Sequence, residues 1–387
     1  MKRFCLLILT VVAFLPLLFM FAGQPAEKPF GLDGQAQLPE SSSVQGKPAY
    51  RQQFLSSGST HESHSAVFAN QSDGNLRAFW YGGSREGAKD VSIYTAVLDL
   101  AKNRWHAERV LVERREMAKQ LGIYLRKLGN PVTLRDRDGR IWLFFVTVSV
   151  GGWAGSSINV ITSLDDGQTW SEPKRLLTSP IFNISTLVKG RPFQFADGSI
   201  GLPVYHEMIG KFGEVLHLSA EGDVLDKVRI TSGRSSLQPI LLPTGDLSAR
   251  VYLRNSTDAP DSRLFEVSTD DGGRSFTAPT FAELPNPNAA VAGLSLEDSG
   301  LLMVLNNQHD KRNNLSLMHS DDEGESWQLL HEIEYQENVP GVEYQFSYPA
   351  FLQSADGDFH VIYTWNRTRI KHVRFNQRWL HERVGSL

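Results

Sequence analysis

The sequence predicts an all-β protein, a six-bladed β-propeller of four-stranded antiparallel blades, and two observations carry this prediction. First, an eight-residue pattern of a hydroxyl residue, Asp, Gly and a closing aromatic occurs three times, as SLDDGQTW (163–170), TDDGGRSF (269–276) and SDDEGESW (320–327). Second, the closing aromatics, followed by Trp379, recur at intervals of roughly 50 residues or a multiple of it, the spacing of a repeat architecture.

The segments between these boxes have the composition of short strands and turns. Runs such as RIWLFFVTVSV, SARVYLR and FHVIYTW are rich in Val, Ile, Leu, Phe and Tyr, and Gly, Asp, Asn and Pro separate them. About four short strands in each repeat correspond to one propeller blade. A degenerate box, LSAEGDVL, lies near residue 222, between the boxes at 163–170 and 269–276. Residues 113–127 form the one segment whose sequence predicts a long helix.

The boxes themselves predict architecture and not a binding site. An Asp side chain can cap a turn, and Gly accepts a positive φ angle, so the pattern predicts a hairpin turn that the aromatic residue packs beneath. A calcium loop is the alternative, but the boxes lack its further ligands and its bidentate glutamate. We therefore expect the boxes to lie away from the ligand pocket.

Composition excludes several classes of function. The 387 residues carry a formal net charge of −4, so the chain has no basic excess that would indicate a nucleic-acid partner. Cys5 is the single cysteine, which rules out an intrachain disulfide or a cysteine metal cluster. The histidines show no metal-ligand spacing, and phosphate-loop and dinucleotide motifs are absent, so we predict neither a metal nor a cofactor.

The chain divides into three parts. Residues 1–23 have a basic start and a long apolar run, which predicts an export signal or a membrane anchor. Residues 24–48 are rich in Pro, Gly, Gln and Ser and predict a flexible linker, and residues 49–387 form the propeller domain. We therefore expect an exported protein, periplasmic or extracellular, or one associated with a membrane through residues 1–23.

The boxes and their surroundings resemble the sialidase (neuraminidase) superfamily, in its Asp-box or BNR-repeat branch of predicted neuraminidases. Arg312 stands eight residues before the last box, Arg254 ends the strand in VYLRNS, and Tyr348 follows the last box in a YS-like context. Two positions depart from the family pattern. The first family arginine falls on His64, and the glutamate that activates the tyrosine falls near Gln238.

The resemblance implies an exo-acting enzyme that releases a terminal acidic sugar, such as sialic acid, from a carbohydrate substrate. Arg254 and Arg312 would bind the sugar carboxylate, because a guanidinium offers two parallel hydrogen bonds to a planar carboxylate. Arg85 is the candidate to replace the arginine that is absent at His64.

The resemblance also assigns catalytic roles. Tyr348 would be the nucleophile, and Asp90 would protonate the leaving group, with Glu86 as the competing acid. A phenol is a weak nucleophile without a base, and Gln238 cannot serve as one, so Glu343 or Glu207 would take its place.

Two alternatives remain open from the sequence. His64 and Gln238 favour a propeller that binds glycans or a protein partner without cleaving a substrate. An enzyme of the same fold that acts on a terminal uronic acid, by hydrolysis or elimination, is the other, since propellers support many functions.

Overall fold

Six antiparallel sheets follow one another along the chain and form the six blades of a β-propeller, as the sequence predicts. The computed structural model describes residues 27–32, 35–38, 46–179, 183–257, 259–337 and 339–385. The predicted signal or anchor, residues 1–23, lies outside this range. Within the described residues, no helix has the length and apolar character needed to cross a membrane.

The first half of the chain supplies three blades. Strand β1 (Tyr50–Phe54) comes first and joins the sixth blade. Blade 1 contains β2 (Glu62–Asn70), β3 (Leu76–Gly83), β4 (Ser92–Asp99) and an outer strand in two pieces, β5 (Arg104–Trp105) and β6 (Arg109–Val112). Helix α1 (Arg114–Gln120) leads to blade 2, which contains β7 (Lys127–Arg135), β8 (Ile141–Val148), β9 (Ser156–Ser163) and β10 (Lys174–Arg175). Blade 3 has an inner strand in two pieces, β11 (Leu187–Val188) and β12 (Phe193–Gln194), then β13 (Ile200–His206), β14 (Phe212–Leu218) and β15 (Val224–Arg229).

The second half supplies the other three blades. Blade 4 contains β16 (Ser236–Pro243), β17 (Ala249–Asn255), β18 (Arg263–Thr269) and β19 (Thr280–Pro285). Blade 5 contains β20 (Ala292–Ser295), β21 (Leu301–Leu305), β22 (Asn314–Ser320) and β23 (Gln328–Tyr335). Blade 6 contains β24 (Phe346–Gln353), β25 (Phe359–Trp365) and β26 (Arg369–Phe375), and β1 is its outer strand; helix α2 (Gln377–Val384) follows.

Each box lies on the hairpin between the third and fourth strands of its blade, so their prediction as turns is confirmed. In the first box the carboxylate of Asp165 accepts hydrogen bonds from the backbone N–H groups of Gln168 (3.1 Å) and Thr169 (2.9 Å). The hydroxyl of Ser163 accepts one from the N–H of Gly167 (2.8 Å), whose φ is +81°. The degenerate copy occupies the same hairpin of blade 3, where the N–H of Gly222 donates to the carbonyl of Ser219 (2.9 Å).

This geometry makes the boxes determinants of stability. Asp322 accepts hydrogen bonds from the hydroxyl of Ser320 (2.7 Å) and from both the N–H (2.9 Å) and the hydroxyl (2.6 Å) of Ser326. These bonds lower the pKa of Asp322 to about 2. Because the folded-state pKa lies below the ordinary value of 3.8, this contribution is present above pH 3.8 and is lost as the pH falls through about 2.

We expect Asp322→Ala to lower the melting temperature at pH 7, since the turn loses its side-chain acceptor. Asp321→Ala is the matched control, because Asp321 is the exposed neighbour in the same turn. Thermal unfolding of both variants tests this, and equal melting temperatures would contradict it. Ligand binding should be unchanged in both, since the box lies on the turn between β22 and β23, the two outer strands of the blade, away from the propeller axis.

The way in which the ring of blades closes explains why Trp379, the fourth aromatic residue of the repeat spacing, does not belong to a box. Because β1 pairs with β26, the outer strand of blade 6 comes from the start of the chain, and no hairpin follows β26. The interpretation of Trp379 as a box aromatic is therefore wrong. Trp379 lies on α2, where it packs against Tyr50 and Phe375 with ring centroids 5.0 Å and 4.9 Å away.

Two further expectations differ from the structure. The helix predicted over residues 113–127 is only seven residues long, because the chain turns at Gly122 (φ +64°) and then enters β7. The described part of the predicted linker packs on the propeller. Phe30 is 2% exposed and stacks on Phe195 at 5.7 Å, and Ala36 forms a bridge with Leu296, so its apolar residues add to the core.

Candidate functional site

The innermost strands of several blades are irregular at the end where they begin. The register shifts between His64 and Val67 in β2, between Leu237 and Ile240 in β16, and between Ser347 and Ala350 in β24. At these bulges Ser65, Gln238 and Tyr348 have φ angles of +53°, +51° and +54°. Such a backbone costs of order 1–3 kcal/mol per residue and re-aims side chains, so its repetition at one end of the axis indicates a functional site.

Gln238 is the centre of a hydrogen-bond network at this end. Its Nε2 lies 3.3 Å from the hydroxyl oxygens of both Tyr348 and Tyr205, and its Oε1 accepts a hydrogen bond from Nη1 of Arg254 (3.1 Å). The pairing with Arg254 fixes the amide orientation, so the nitrogen faces the two phenols. Gln238 therefore donates to Tyr348 and does not act as a proton acceptor for it.

The two arginines that the resemblance singled out meet at one asparagine. Nε of Arg254 donates to Oδ1 of Asn288 (2.7 Å), and Nη2 of Arg312 donates to the backbone carbonyl of the same residue. Asn288 has a positive φ of +53°, which lets its side chain and its carbonyl face different guanidinium groups. Burial lowers the pKa of Arg312, and the positive charge of Arg254 lowers it further, as expected for like charges held close together.

A third arginine, Arg367, joins this cluster from blade 6. It follows β25 at a positive φ of +59°, and its Nη2 lies 2.6 Å from Oε2 of Glu86 and 3.9 Å from Oε2 of Glu62. Sequence reasoning missed Arg367, although WNRTR places it just after the second strand of its blade, close to where Arg254 ends the second strand of blade 4. Comparison of corresponding strand ends in the blades could have found it.

His64 occupies the centre of these charges as a neutral ring. Its centroid lies 4.3 Å from that of Tyr348, and its side chain is 3% exposed. Burial lowers its pKa well below 6.5, and Arg367, Arg312, Lys189 and Arg254 lower it further. His64 therefore supplies no positive charge at neutral pH.

Lys189 lies behind Tyr348. Its ammonium group is 5.7 Å from the centroid of the tyrosine ring and donates to the carbonyl of Pro349 (2.9 Å). Burial lowers the pKa of Lys189 to about 8, which leaves much of it charged at pH 7. Sequence reasoning missed the position of Lys189 beside Tyr348. Lys189 lies in the break between β11 and β12, where no regular strand pattern marks the inner strand of the blade.

Two carboxylates face the cluster. Glu86 is paired with Arg367, and its backbone N–H donates to Glu62 (2.6 Å). Glu207 follows β13, and burial raises its pKa above the ordinary value of 4.5, although the positive charge of Arg254 opposes this. The surroundings of Glu207 therefore favour its protonated form.

The remaining sequence candidates lie at the edge of this arrangement. Asp90 is exposed and accepts hydrogen bonds from the N–H and the hydroxyl of Ser84, both at 2.9 Å. These bonds join the two ends of the loop that contains Glu86. Glu343 is exposed and accepts a hydrogen bond from Nε2 of Gln345 (2.5 Å). Its charge only partly opposes the lowering of the pKa of Arg312 by burial. Arg85 is exposed on the same loop as Glu86.

The resulting site holds three guanidinium groups beside a phenol. Arg254, Arg312 and Arg367 come from blades 4, 5 and 6, and we call them the arginine cluster. Tyr348 lies among them. Guanidinium groups held at fixed positions bind planar anions, in particular carboxylates. Among the residues that the structure describes, no group of three or more His, Cys, Asp or Glu side chains is placed to hold a metal ion.

Comparisons with known proteins agree with this fold. Residues 74–361 match the family described as BNR repeat-like domain. No curated protein matches the sequence.

Several solved structures share the architecture at low sequence identity. The Hadza microbial sialidase Hz136 is 15% identical, with a TM-score of 0.66 over 81% of this chain; the match spans 65% of that sialidase. A mutant of the NanB sialidase from Streptococcus pneumoniae is 10% identical, with a TM-score of 0.65 over 83% of this chain and 69% of NanB. The intramolecular trans-sialidase from Ruminococcus gnavus is 12% identical, with a TM-score of 0.64 over 84% of this chain and 96% of that enzyme. At these identities the likeness establishes the fold.

Proposed function

Because this chain belongs to the family of BNR repeat-like domains, whose fold it shares with sialidases, we propose that it is an exo-acting glycosidase that releases a terminal acidic sugar. The observation that carries the proposal is the convergence of Arg254, Arg312 and Arg367 around Tyr348. Arg367 is paired with Glu86, whereas Arg254 and Arg312 form no ion pair with the described residues, so an anionic ligand would offset the repulsion between these two like charges. A sugar carboxylate has the shape and charge that such a cluster binds.

In this proposal the oxygen of Tyr348 bonds to the anomeric carbon while the bond to the leaving oxygen breaks. The leaving oxygen takes the proton of Glu207, and the phenol proton passes to solvent. Water then cleaves the bond between Tyr348 and the sugar and restores both protons. A neutral phenol suits a centre that already bears a carboxylate, and sialidases use a tyrosine in this way. The Gln238 amide would stabilise negative charge on the phenol oxygen by donating a hydrogen bond to it. The strained backbone of Tyr348 holds the ring in one orientation, with His64 against one face.

Glu207 is the carboxyl group that we assign to proton transfer. A general acid must hold a proton near neutral pH, and burial shifts the pKa of Glu207 in that direction. Glu86 is ion-paired with Arg367 at 2.6 Å, which suits it to fixing the position of that arginine.

Glu207→Gln separates catalysis from stability. Because the pKa of Glu207 is raised in the folded state, its favourable contribution is complete below pH 4.5 and is lost as the pH rises through the folded-state value. We therefore expect the variant to melt at the same temperature as the wild type or higher at pH 7–8, with the difference vanishing below about pH 4.5. The turnover number should fall by about 10²–10⁴-fold. A variant with unchanged turnover would exclude Glu207 as the acid.

A second candidate function rests on Gln238 and His64. With an amide hydrogen-bonded to Tyr348 and a neutral ring beside it, the same site could bind an acidic glycan without cleaving it. The arginine cluster would bind the anion in either function. Tyr348 and Glu207 would be needed only if the protein cleaves the glycan.

A substrate screen tests the proposal directly. Purified protein is incubated with fluorogenic sialosides and fluorogenic uronides, with Tyr348→Phe and Glu207→Gln as negative controls. Release of the fluorophore by the wild type alone supports an acidic-sugar glycosidase, and the active series identifies the sugar. Binding of the free acids without any release would establish the binding propeller instead.

A further inference from the structure

The propeller axis contains a cavity of about 370 Å³, which we call the axial cavity. Its wall includes Val67, Leu242 and Phe351, which follow His64, Gln238 and Tyr348 along the same inner strands. The cavity therefore lies deeper along the axis than the arginine cluster. Lys189 and Pro349 line it at the end nearest Tyr348, and the hydrogen bond between them (2.9 Å) closes that end.

Apolar side chains form most of this wall. Val132 and Val291 are at most 1% exposed, and Val67, Leu242 and Phe351 are at most 7% exposed. The volume lies within the range of about 300–1,000 Å³ that is typical of small-molecule sites. The size and the lining therefore suit a ligand with an apolar body.

Among the residues that the structure describes, Arg191 is a charged side chain of the wall for which no protein partner is found. Arg135 pairs with Asp166 (2.5 Å), and Asp136 accepts a hydrogen bond from Nε1 of Trp142 (2.8 Å), so both are satisfied. Arg191 also lines the cavity, with its side chain accessible to the open space, and it makes no hydrogen bond or ion pair with the residues that the structure describes.

A guanidinium that pairs with no described residue can make charge-assisted hydrogen bonds to an anion, and here it stands beside an apolar wall. We propose that the axial cavity is a second ligand site, which binds an amphipathic carboxylate with its head on Arg191 and its chain along the aliphatic wall. This site is separate from the arginine cluster, and its occupation does not depend on the proposed glycosidase function. Gly31 and Gln35 of the N-terminal segment also line the cavity, so a ligand at that end would contact this segment.

Titration calorimetry with octanoate tests the proposal, and octanol is the neutral probe of the same chain length. The wild type should bind octanoate, and Arg191→Met should bind it about 10- to 100-fold more weakly, the loss of one charge-assisted interaction. Affinity for octanol should change little. Arg191→Met should also keep or raise the melting temperature, because Arg191 has no protein partner to lose.

Two control variants distinguish this site from the arginine cluster. The double variant Arg254→Met/Arg312→Met should retain octanoate binding, and Ala292→Leu, which fills the cavity, should abolish it. No octanoate binding by the wild type at millimolar concentration would overturn the proposal. So would a loss of binding in the double variant with none in Arg191→Met, which would place octanoate in the candidate active site.

Discussion

Replacing Arg254 and Arg312 together by methionine is expected to abolish recognition of the acidic sugar. Each guanidinium can make charge-assisted hydrogen bonds to the carboxylate, and a hydrogen bond to a charged group contributes about 1.5–3 kcal/mol. The loss of two such interactions corresponds to a decrease in affinity of about 10²–10⁴-fold. Methionine preserves much of the aliphatic stem, so the packing around Asn288 and Gln238 should change less than with alanine.

The measurement is calorimetric binding of the free sugar acid that the substrate screen identifies. Its methyl ester is the chemical control, since the ester keeps the ring and removes the negative charge. The wild type should strongly prefer the acid, and the double variant should lose that preference. Arg85→Met is the matched protein control, because Arg85 is exposed near the same site. An unchanged affinity in the double variant would remove the basis for the proposed carboxylate recognition.

Tyr348→Phe is expected to lower the turnover number by at least about 10³-fold, which corresponds to roughly 4 kcal/mol of transition-state stabilisation. The change removes only the attacking oxygen. The phenyl ring can still pack against His64 at 4.3 Å and cover the ammonium of Lys189. Affinity for the free sugar acid should therefore stay within about threefold, or 0.7 kcal/mol.

Tyr205 offers a matched control for this variant. Its hydroxyl oxygen lies 3.3 Å from the same Nε2 of Gln238, and it is buried beside Tyr348. Tyr205→Phe removes an equivalent hydrogen bond without removing the proposed nucleophile, so its turnover should fall only severalfold. Similar losses in both variants would mean that the phenols support Gln238, and full activity of Tyr348→Phe would require a carboxylate nucleophile.

Much of the fold follows from local sequence patterns. A box specifies its own hairpin, because the Asp acceptor, the hydroxyl and the glycine at positive φ all act within eight residues. The alternating apolar runs specify strands, and the repeat spacing specifies blades. The pattern failed at Trp379, where the closing strand comes from the other end of the chain and leaves no hairpin to carry a box.

The candidate site is only partly encoded in this way. Arg254, Arg312 and Tyr348 could be placed by resemblance because each stands at a fixed distance from a box or a strand end. The loop that contains both Asp90 and Glu86 was recognised, but the sequence could not decide which carboxylate turns inward. The structure pairs Glu86 with Arg367 and leaves Asp90 bonded to Ser84.

The sequence by itself therefore determined the repeat, the strands and the residue types available at the blade ends. The tertiary structure alone decided which of those residues meet. Arg367, Lys189 and Asn288 belong to three different blades, and closing the ring brings them to one axis. These protonation states cannot be inferred from one residue and its sequence neighbours. Burial and the charges of residues distant in the sequence make His64 neutral, and burial favours the protonated form of Glu207.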